Sequence, residues 1–165
     1  TERVLPMNIF ALSYDPVIAA KLHCDKHIVK MPLETAQMLC TVQNRYGAES
    51  PYRSAHLNHP CTIWARQTVE NYRWLWRLGV ALCEEYTYRY GRDHASERII
   101  AIVRCPPPKL TARGFTKFAQ AMPDEYKHHD PITAYQQYYR GAKYHLAQWT
   151  NRPTPEFMLT GESNV

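Results

Sequence analysis

The chain has 165 residues, and 45% of them are hydrophobic, which favours one folded domain with a single core over a disordered chain. Lysine and arginine number 20 against 15 acidic residues, and the resulting net charge of +5 suits a polyanionic partner such as nucleic acid. The sequence has no long apolar run, no signal-peptide pattern and no C-x-x-C pair among its five cysteines, so we expect a cytoplasmic protein without a membrane span or a disulfide framework.

Three helix starts share one device, in which a capping side chain precedes a proline at the first helical position. The capping side chain accepts bonds from free backbone N–H groups, and the proline has no N–H that would be left without a partner. In chain order these pairs are Asp15 with Pro16, Asn58 or His59 with Pro60, and Asp130 with Pro131.

These starts and the apolar spacing predict helices over about 16–44, 60–90, 96–104 and 131–148, with a kink expected at Pro32. The stretch "CPPPKL" predicts a rigid loop, and residues 110–129 look irregular, with one short helix expected around "FTKFAQAM". We expect residues 1–6 to be an N-terminal extension and residues 152–165 an extended tail. The predicted fold is therefore all-α, a compact single-domain bundle (1–165) of about three long helices plus short helices and Pro-rich loops.

The segment "HCDKHIVKMPLETAQ", residues 23–37, concentrates titratable groups in one predicted helix. A helix turns about 100° per residue, so five polar side chains share one narrow face and aliphatic side chains gather on the other. Asp25 falls on the apolar side, where we expect it to be protonated, paired with donors from another helix, or tuned as a cleft carboxylate. The polar stripe is His23, His27, Lys30, Glu34 and Gln37, and the apolar side is Ile18, Leu22, Val29, Leu33, Ala36 and Cys40.

The polar stripe fits three interpretations: a solvated helix face, a metal site or a catalytic strip. His23 and His27 have the i, i+4 spacing of helical metal ligands, and "HLNHPC" adds two histidines and a cysteine. However, the glutamate of an H-E-x-x-H motif is missing, because Cys24 follows His23. No G-x-S-x-G motif or Gly-rich phosphate loop is present either, so we expect no metal and no cofactor.

Three long stretches resemble one known family in their order and spacing. They are "MNIFALSYDPVIAAKLHCDKHIVK", "NHPCTIWARQTVENYRWLWRLGVALCEEYTYRYG" and "MPDEYKHHDPITAYQQYYRGAKYHLAQWTNRP". Together they resemble the phage pyrimidine-dimer DNA glycosylases of the UV-repair endonuclease V type. The strings "DKHIVKMPLE" and "NHP" are also similar to motifs of bacterial proteins labelled as related glycosylases. The resemblance implies a compact all-helical fold that bends DNA at a lesion.

The resemblance also implies a reaction, in which an N-terminal α-amine attacks the sugar C1′ and forms an imine, assisted by a glutamate on the first helix. In our register the family's glutamate falls on His27, and Lys26 and Lys30 occupy the positions of its DNA-contacting arginines. Because "TERVLP" precedes "MNIF", we expect a natural start at Met7 or a Thr1 amine left after removal of a methionine.

We therefore expect a DNA glycosylase/AP lyase that acts on damaged or modified bases, works as a monomer and resides in the cytoplasm, of the host if it is phage-encoded. Two alternatives stay open: a non-catalytic nucleic-acid or nucleotide binder, and a phage nucleotide- or DNA-modifying enzyme on the same scaffold. The expected catalytic residues are Asp25, His27 and Glu34; the expected DNA contacts are Lys26, Lys30, Asn58, His59, Trp64 and Arg66.

Overall fold

The computed structural model describes residues 7–159, and this part of the chain is helical without any strand. Its helices are α1 (Pro16–Leu22), α2 (Asp25–Arg45), α3 (Pro60–Ala65), α4 (Val69–Tyr90), α5 (Glu97–Ile102), α6 (Pro131–Ala142) and α7 (Glu156–Leu159), with 3-10 turns at Asp124–Tyr126 and Tyr144–Leu146. The predicted all-α class is confirmed. The expected extension at residues 1–6, its amine and the last part of the expected tail lie outside the described residues. No helix between residues 7 and 159 is long and apolar enough to cross a membrane.

The predicted helix starts are confirmed, because their capping bonds are local. The Asp15 carboxylate accepts from the backbone N–H of Val17 at 2.9 Å, and Asp130 caps α6 in the same way. At the start before Pro60 the N-cap is His59 rather than Asn58, and the Nδ1 of His59 accepts from the backbone N–H of Cys61 at 3.1 Å.

Two of the predicted long helices are interrupted. At one of the breaks, backbone N–H groups donate to residues from a distant part of the chain instead of to the preceding helical turn. The 16–44 helix stops at Leu22 and resumes at Asp25, because the backbone N–H of Cys24 donates to the Tyr139 hydroxyl and that of Asp25 donates to the Gln148 carbonyl. The 60–90 helix breaks between α3 and α4, where the Thr68 hydroxyl caps the new helix. The helix α2 runs on through Pro32.

The helix expected around residues 115–122 is absent, and this segment has no regular structure. Side chains of α3 and α4 bind its backbone instead. The carbonyl of Thr116 accepts from Trp64 Nε1 at 3.1 Å, and its N–H donates to Asn71 Oδ1 at 3.0 Å. The last predicted helix also ends early, at Ala142, and a 3-10 turn follows.

The centre of the molecule is the packing of α2 against α4, with α1 covering α4 and α5 closing one end. The segment 7–12 is almost fully buried and runs beside α2 and α6, where Phe10 packs against His27 and Tyr138. This arrangement places the polar stripe of α2 between the N-terminal segment and α6.

Candidate active site

Two members of the polar stripe in α2, His27 and Glu34, face the interior of the protein, whereas Lys30 is exposed. His27 and Glu34 are only 5% and 6% exposed, and His23, just before the helix, is fully buried. In contrast, Val29 is 50% and Leu33 is 42% exposed, on the side predicted to be the buried one. Of the three interpretations of the stripe, a solvated face does not describe His27 and Glu34, and these two titratable groups lie where burial can change their chemistry.

A small cavity opens along this stripe. Its volume of about 30 Å³ has room for a water molecule but not for a nucleotide. The walls come from three parts of the chain: the N-terminal segment, α2, and the end of α6 with the residue that follows it. The lining residues are Met7, Asn8, Phe10, His27, Lys30, Met31, Glu34, Tyr138 and Lys143.

Glu34 is the acidic group of the cavity, and one of its oxygens has no hydrogen-bond partner among residues 7–159. That oxygen, Oε2, lies 4.0 Å from Nζ of Lys30, which is beyond hydrogen-bonding distance. Burial raises the pKa of Glu34 to about 7, although the charges of Lys30 and Lys143 act in the opposite direction. A substantial fraction of Glu34 is therefore protonated at neutral pH, as a general acid requires.

His27 is held as a neutral ring in the wall of the cavity. Its Nδ1 lies 2.6 Å from the Tyr139 hydroxyl, and its ring stacks on Phe10 with centroids 4.2 Å apart. Burial, helped by the charges of His23, Lys143 and Lys30, lowers the pKa of His27 to about 2. Because Tyr139 accepts from the Cys24 N–H, its own proton can be donated to His27, which fixes the ring.

Two lysines stand at the mouth of the cavity. The side chain of Lys30 is 60% exposed. Lys143, the residue that caps the end of α6, is half-buried, and its Nζ lies 5.2 Å from the centroid of the Tyr138 ring. Burial and the charge of Lys30 lower the pKa of Lys143. Sequence reasoning did not select Lys143, since only the fold brings it next to Glu34.

The family model described as pyrimidine dimer DNA glycosylase matches residues 7–98, which is more than half of the chain. The chain belongs to the pyrimidine dimer DNA glycosylase family. No curated protein and no solved structure matched it. The expected resemblance is thus confirmed, and at family level membership supports a glycosylase-like function on DNA. The matched range covers the α2 side of the cavity, whereas Tyr138 and Lys143 lie beyond it.

Asp25, which we expected to be catalytic, is engaged in structural bonds instead. It accepts from Arg89 Nη1 at 3.0 Å and from the backbone and hydroxyl of Thr150 at 2.8 and 2.7 Å. The fully buried Arg89 also donates to Glu85. Asp25 is not among the cavity residues, and its bonds match the alternative that pairs it with another helix. Asp25 fastens the segment around Thr150 to the start of α2.

The corner before α3 lies beside the cavity and does not line it. His59 is buried, its Nε2 has no hydrogen-bond partner within the described chain, and burial lowers its pKa. Asn58 is exposed, and Arg66 donates from Nη1 to the Leu57 carbonyl. Met7 connects this corner to the cavity. It lines the cavity, and its backbone interacts with the His59 ring in a way that opposes the lowering of the pKa.

Trp64 does not have the exposed face that stacking on a DNA base requires. It is 2% exposed, its Nε1 donates to the Thr116 carbonyl, and its ring packs against Phe118 with centroids 5.0 Å apart. The expected stacking role of Trp64 is therefore withdrawn, and we assign it to the core. Lys26 and Lys30, on the first turns of α2, are exposed.

A metal site is not formed by the histidine pair. The Nδ1 of His23 lies 2.6 Å from the Ala19 carbonyl, and the rings of His23 and His27 are 6.4 Å apart in different orientations. Residues 7–159 contain no group of three or more His, Cys, Asp or Glu side chains placed to hold a metal ion.

Proposed function

We propose that this protein is a DNA glycosylase that cleaves the N-glycosidic bond of a damaged or modified pyrimidine, with Glu34 as its general acid. The observation that carries the proposal is a buried, protonatable carboxyl group with an unpartnered oxygen, placed in a cavity between two lysines. Loss of the base leaves an electron pair on the departing ring and positive charge on the sugar. A neutral acid at this position donates a proton, and its carboxylate then faces the cationic sugar.

The lysines provide the electrostatic part of the site. Lys26 and Lys30 are exposed on the first turns of α2, on the same side as the mouth of the cavity, and we assign them to phosphate contacts. Asn58 and Arg66 extend this surface toward α3. Such contacts fix the register of the duplex and make binding depend on salt. The net charge of +5 supports the same role.

His27 contributes through position rather than charge. The ring is neutral at any working pH, held between Phe10 and Tyr139, and it lines the same cavity as Glu34. We therefore place His27 as a positioning residue. The family's glutamate falls on His27 in our register, and Glu34 lies two helical turns later on the same face, so both positions look into one cavity.

The test is base release from a defined duplex with a single cyclobutane pyrimidine dimer, compared with duplexes that carry an abasic site or a hypermodified base. The wild type and Glu34→Gln are compared under single turnover, with Glu84→Gln as a matched control because Glu84 is exposed and remote from the cavity. Scission of the strand at the abasic product would establish the lyase step. Absence of base release and of scission on every duplex between pH 6 and 9 would refute the proposal, and tight binding without turnover would favour a non-catalytic binder.

A further inference from the structure

The cavity beside Glu34 has the size and the polar atoms of a site for one water molecule. Its volume of about 30 Å³ equals the share of one water molecule in the liquid. Glu34 Oε2 is buried and has no hydrogen-bond partner within the described chain. The side-chain amide of Asn8, which also lines the cavity, is engaged by other protein groups at both its oxygen and its nitrogen. A water molecule beside Glu34 therefore needs a second partner from another part of the wall.

The bond between Tyr139 and His27 determines which nitrogen of the His27 ring carries the proton. The Tyr139 hydroxyl lies 2.6 Å from Nδ1 of His27, whereas the sulfur of Cys24, a weaker acceptor, lies 3.8 Å away. Burial raises the pKa of Tyr139 well above its ordinary value, so the hydroxyl keeps its proton and donates it to Nδ1. A neutral imidazole has one N–H group, which must then be at Nε2. This leaves Nε2–H as the donor with which His27 binds a molecule in the cavity that it lines.

Resting on the proposed function, we propose that the cavity binds one water molecule between His27 Nε2–H and Glu34 Oε2, and that this water passes the proton of Glu34 to the departing base. A relay is needed because a nucleotide does not fit beside Glu34, so the base has to stay at the mouth of the cavity. His27 holds the water, and Tyr139 acts through His27, so both are positioning residues.

The proton transfer balances with these groups. The bond from C1′ to the base breaks, and its electron pair leaves with the base. The base takes a proton from the water, and the water oxygen takes the proton of Glu34 at the same time. The water is restored, Glu34 becomes a carboxylate, and His27 stays a neutral donor throughout. The relay serves the departing base alone and is independent of the group that attacks C1′.

A neutral donor suits this position better than a charged one. An imidazolium beside Glu34 would favour the carboxylate and so weaken the acid. Burial lowers the pKa of His27 to about 2, and the surrounding cationic groups act in the same direction. The groups that act on the ring in this way are His23, Lys30, Lys143 and His145.

The first test examines the water site in the full chain without DNA. Proton–nitrogen correlation spectra of protein labelled with ¹⁵N-histidine distinguish the two neutral tautomers and the imidazolium. We expect His27 to be the Nε2–H tautomer from pH 5 to 8, and to lose this preference in Tyr139→Phe. A high-resolution crystal structure should show a water within about 3.2 Å of both His27 Nε2 and Glu34 Oε2. A proton at Nδ1 in the wild type, or a cavity without this water, would overturn the proposal.

The second test separates the donor from the packing of the ring. In His27→Gln the side-chain amide N–H₂ reaches the position of Nε2, whereas in His27→Asn the side chain keeps the contact with Tyr139 but has no donor in reach of the water. In single-turnover base release from the dimer duplex, His27→Asn should be about 100-fold slower than the wild type. His27→Gln should recover about tenfold of that loss. His129→Asn is the matched control, because His129 is exposed and does not line the cavity.

The outcomes separate the relay from the proposed function. Equal rates for His27→Gln and His27→Asn, in variants that keep the fold by far-ultraviolet circular dichroism, would assign His27 to packing and refute the relay, with Glu34 still the acid. Full activity of His27→Asn beside an inactive Glu34→Gln would lead to the same conclusion. Absence of base release from the wild type on every duplex would refute the proposed function and the relay with it, while the spectra and the crystal structure decide the water site.

Discussion

Replacing Glu34 with glutamine should make the protein more stable than the wild type at alkaline pH and strongly reduce its activity. In the folded protein the pKa of Glu34 is about 7, against an ordinary value of 4.5. Between these two values the folded state binds more protons than the unfolded state, so the free energy of unfolding falls as the pH rises through this window. The difference corresponds to roughly 3 kcal/mol, which is present as stability below pH 4.5 and lost above pH 7.

Glutamine is neutral at every pH, so this loss is absent in Glu34→Gln. At each pH we compare the free energy of unfolding of the variant with that of the wild type. The difference, variant minus wild type, should be about 2–3 kcal/mol larger at pH 8 than at pH 5. The cost of burying the amide is independent of pH, so it cancels when the difference between variant and wild type at pH 8 is compared with the difference at pH 5. Base release should fall about 10²- to 10⁴-fold, the usual contribution of a general acid.

The measurement is urea denaturation of wild type and Glu34→Gln at pH 5 and pH 8, with single-turnover base release on the same preparations. Glu84→Gln serves as the control, and its stability should follow the wild type at both pH values. In the wild type the rate of the step that needs the protonated acid should decline as the pH passes about 7. Equal differences in stability at both pH values, with base release retained in Glu34→Gln, would contradict the assignment.

Three further outcomes are expected. Asp25→Ala should lower the free energy of unfolding by about 1.5–3 kcal/mol in urea denaturation, because it removes one of the two carboxylates that accept from the buried Arg89 and the acceptor of the Thr150 bonds; a change near zero would contradict the structural role. Trp64→Ala should cost about 3–5 kcal/mol by the same measurement, and a folded Trp64→Ala variant that loses only DNA affinity would restore the stacking role. In salt titrations of duplex binding, Lys26→Ala and Lys30→Ala should each reduce the slope of log K against log salt by about 1, whereas Lys109→Ala should leave it unchanged.

The sequence was informative where the determining bonds are local. The caps at Asp15 and Asp130 depend on residues two or three positions away, and both helix starts were predicted. The helix break at His23–Cys24 depends instead on Tyr139 and Gln148, more than a hundred residues later. No pattern around residue 24 records those partners, so one continuous helix was predicted there.

The same limit explains what was missed at the site. The spacing of His27, Lys30 and Glu34 was read correctly, because all three lie in α2 and share one face. The opposite side was read less well, since Val29 and Leu33 belong to the side predicted to be buried and are about half exposed. Nothing near Lys143 in the sequence indicates a site, because Glu34, which lines the same cavity, is more than a hundred residues away and only the fold brings them together.

The two acidic residues of α2 that were expected to be catalytic differ in how their oxygens are satisfied. Asp25 has a guanidinium, a backbone N–H and a hydroxyl as donors. Glu34 has one buried oxygen that receives no hydrogen bond from any residue between 7 and 159. This difference indicates different roles for the two carboxylates. A carboxylate with a full set of donors is held in place and supports the structure, whereas one without donors retains the capacity to exchange a proton. The Asp25 contacts also hold residues 148–150 against the start of α2, close to where α6 delivers Lys143. Asp25 therefore helps to hold together the part of the fold in which Glu34 lines the cavity.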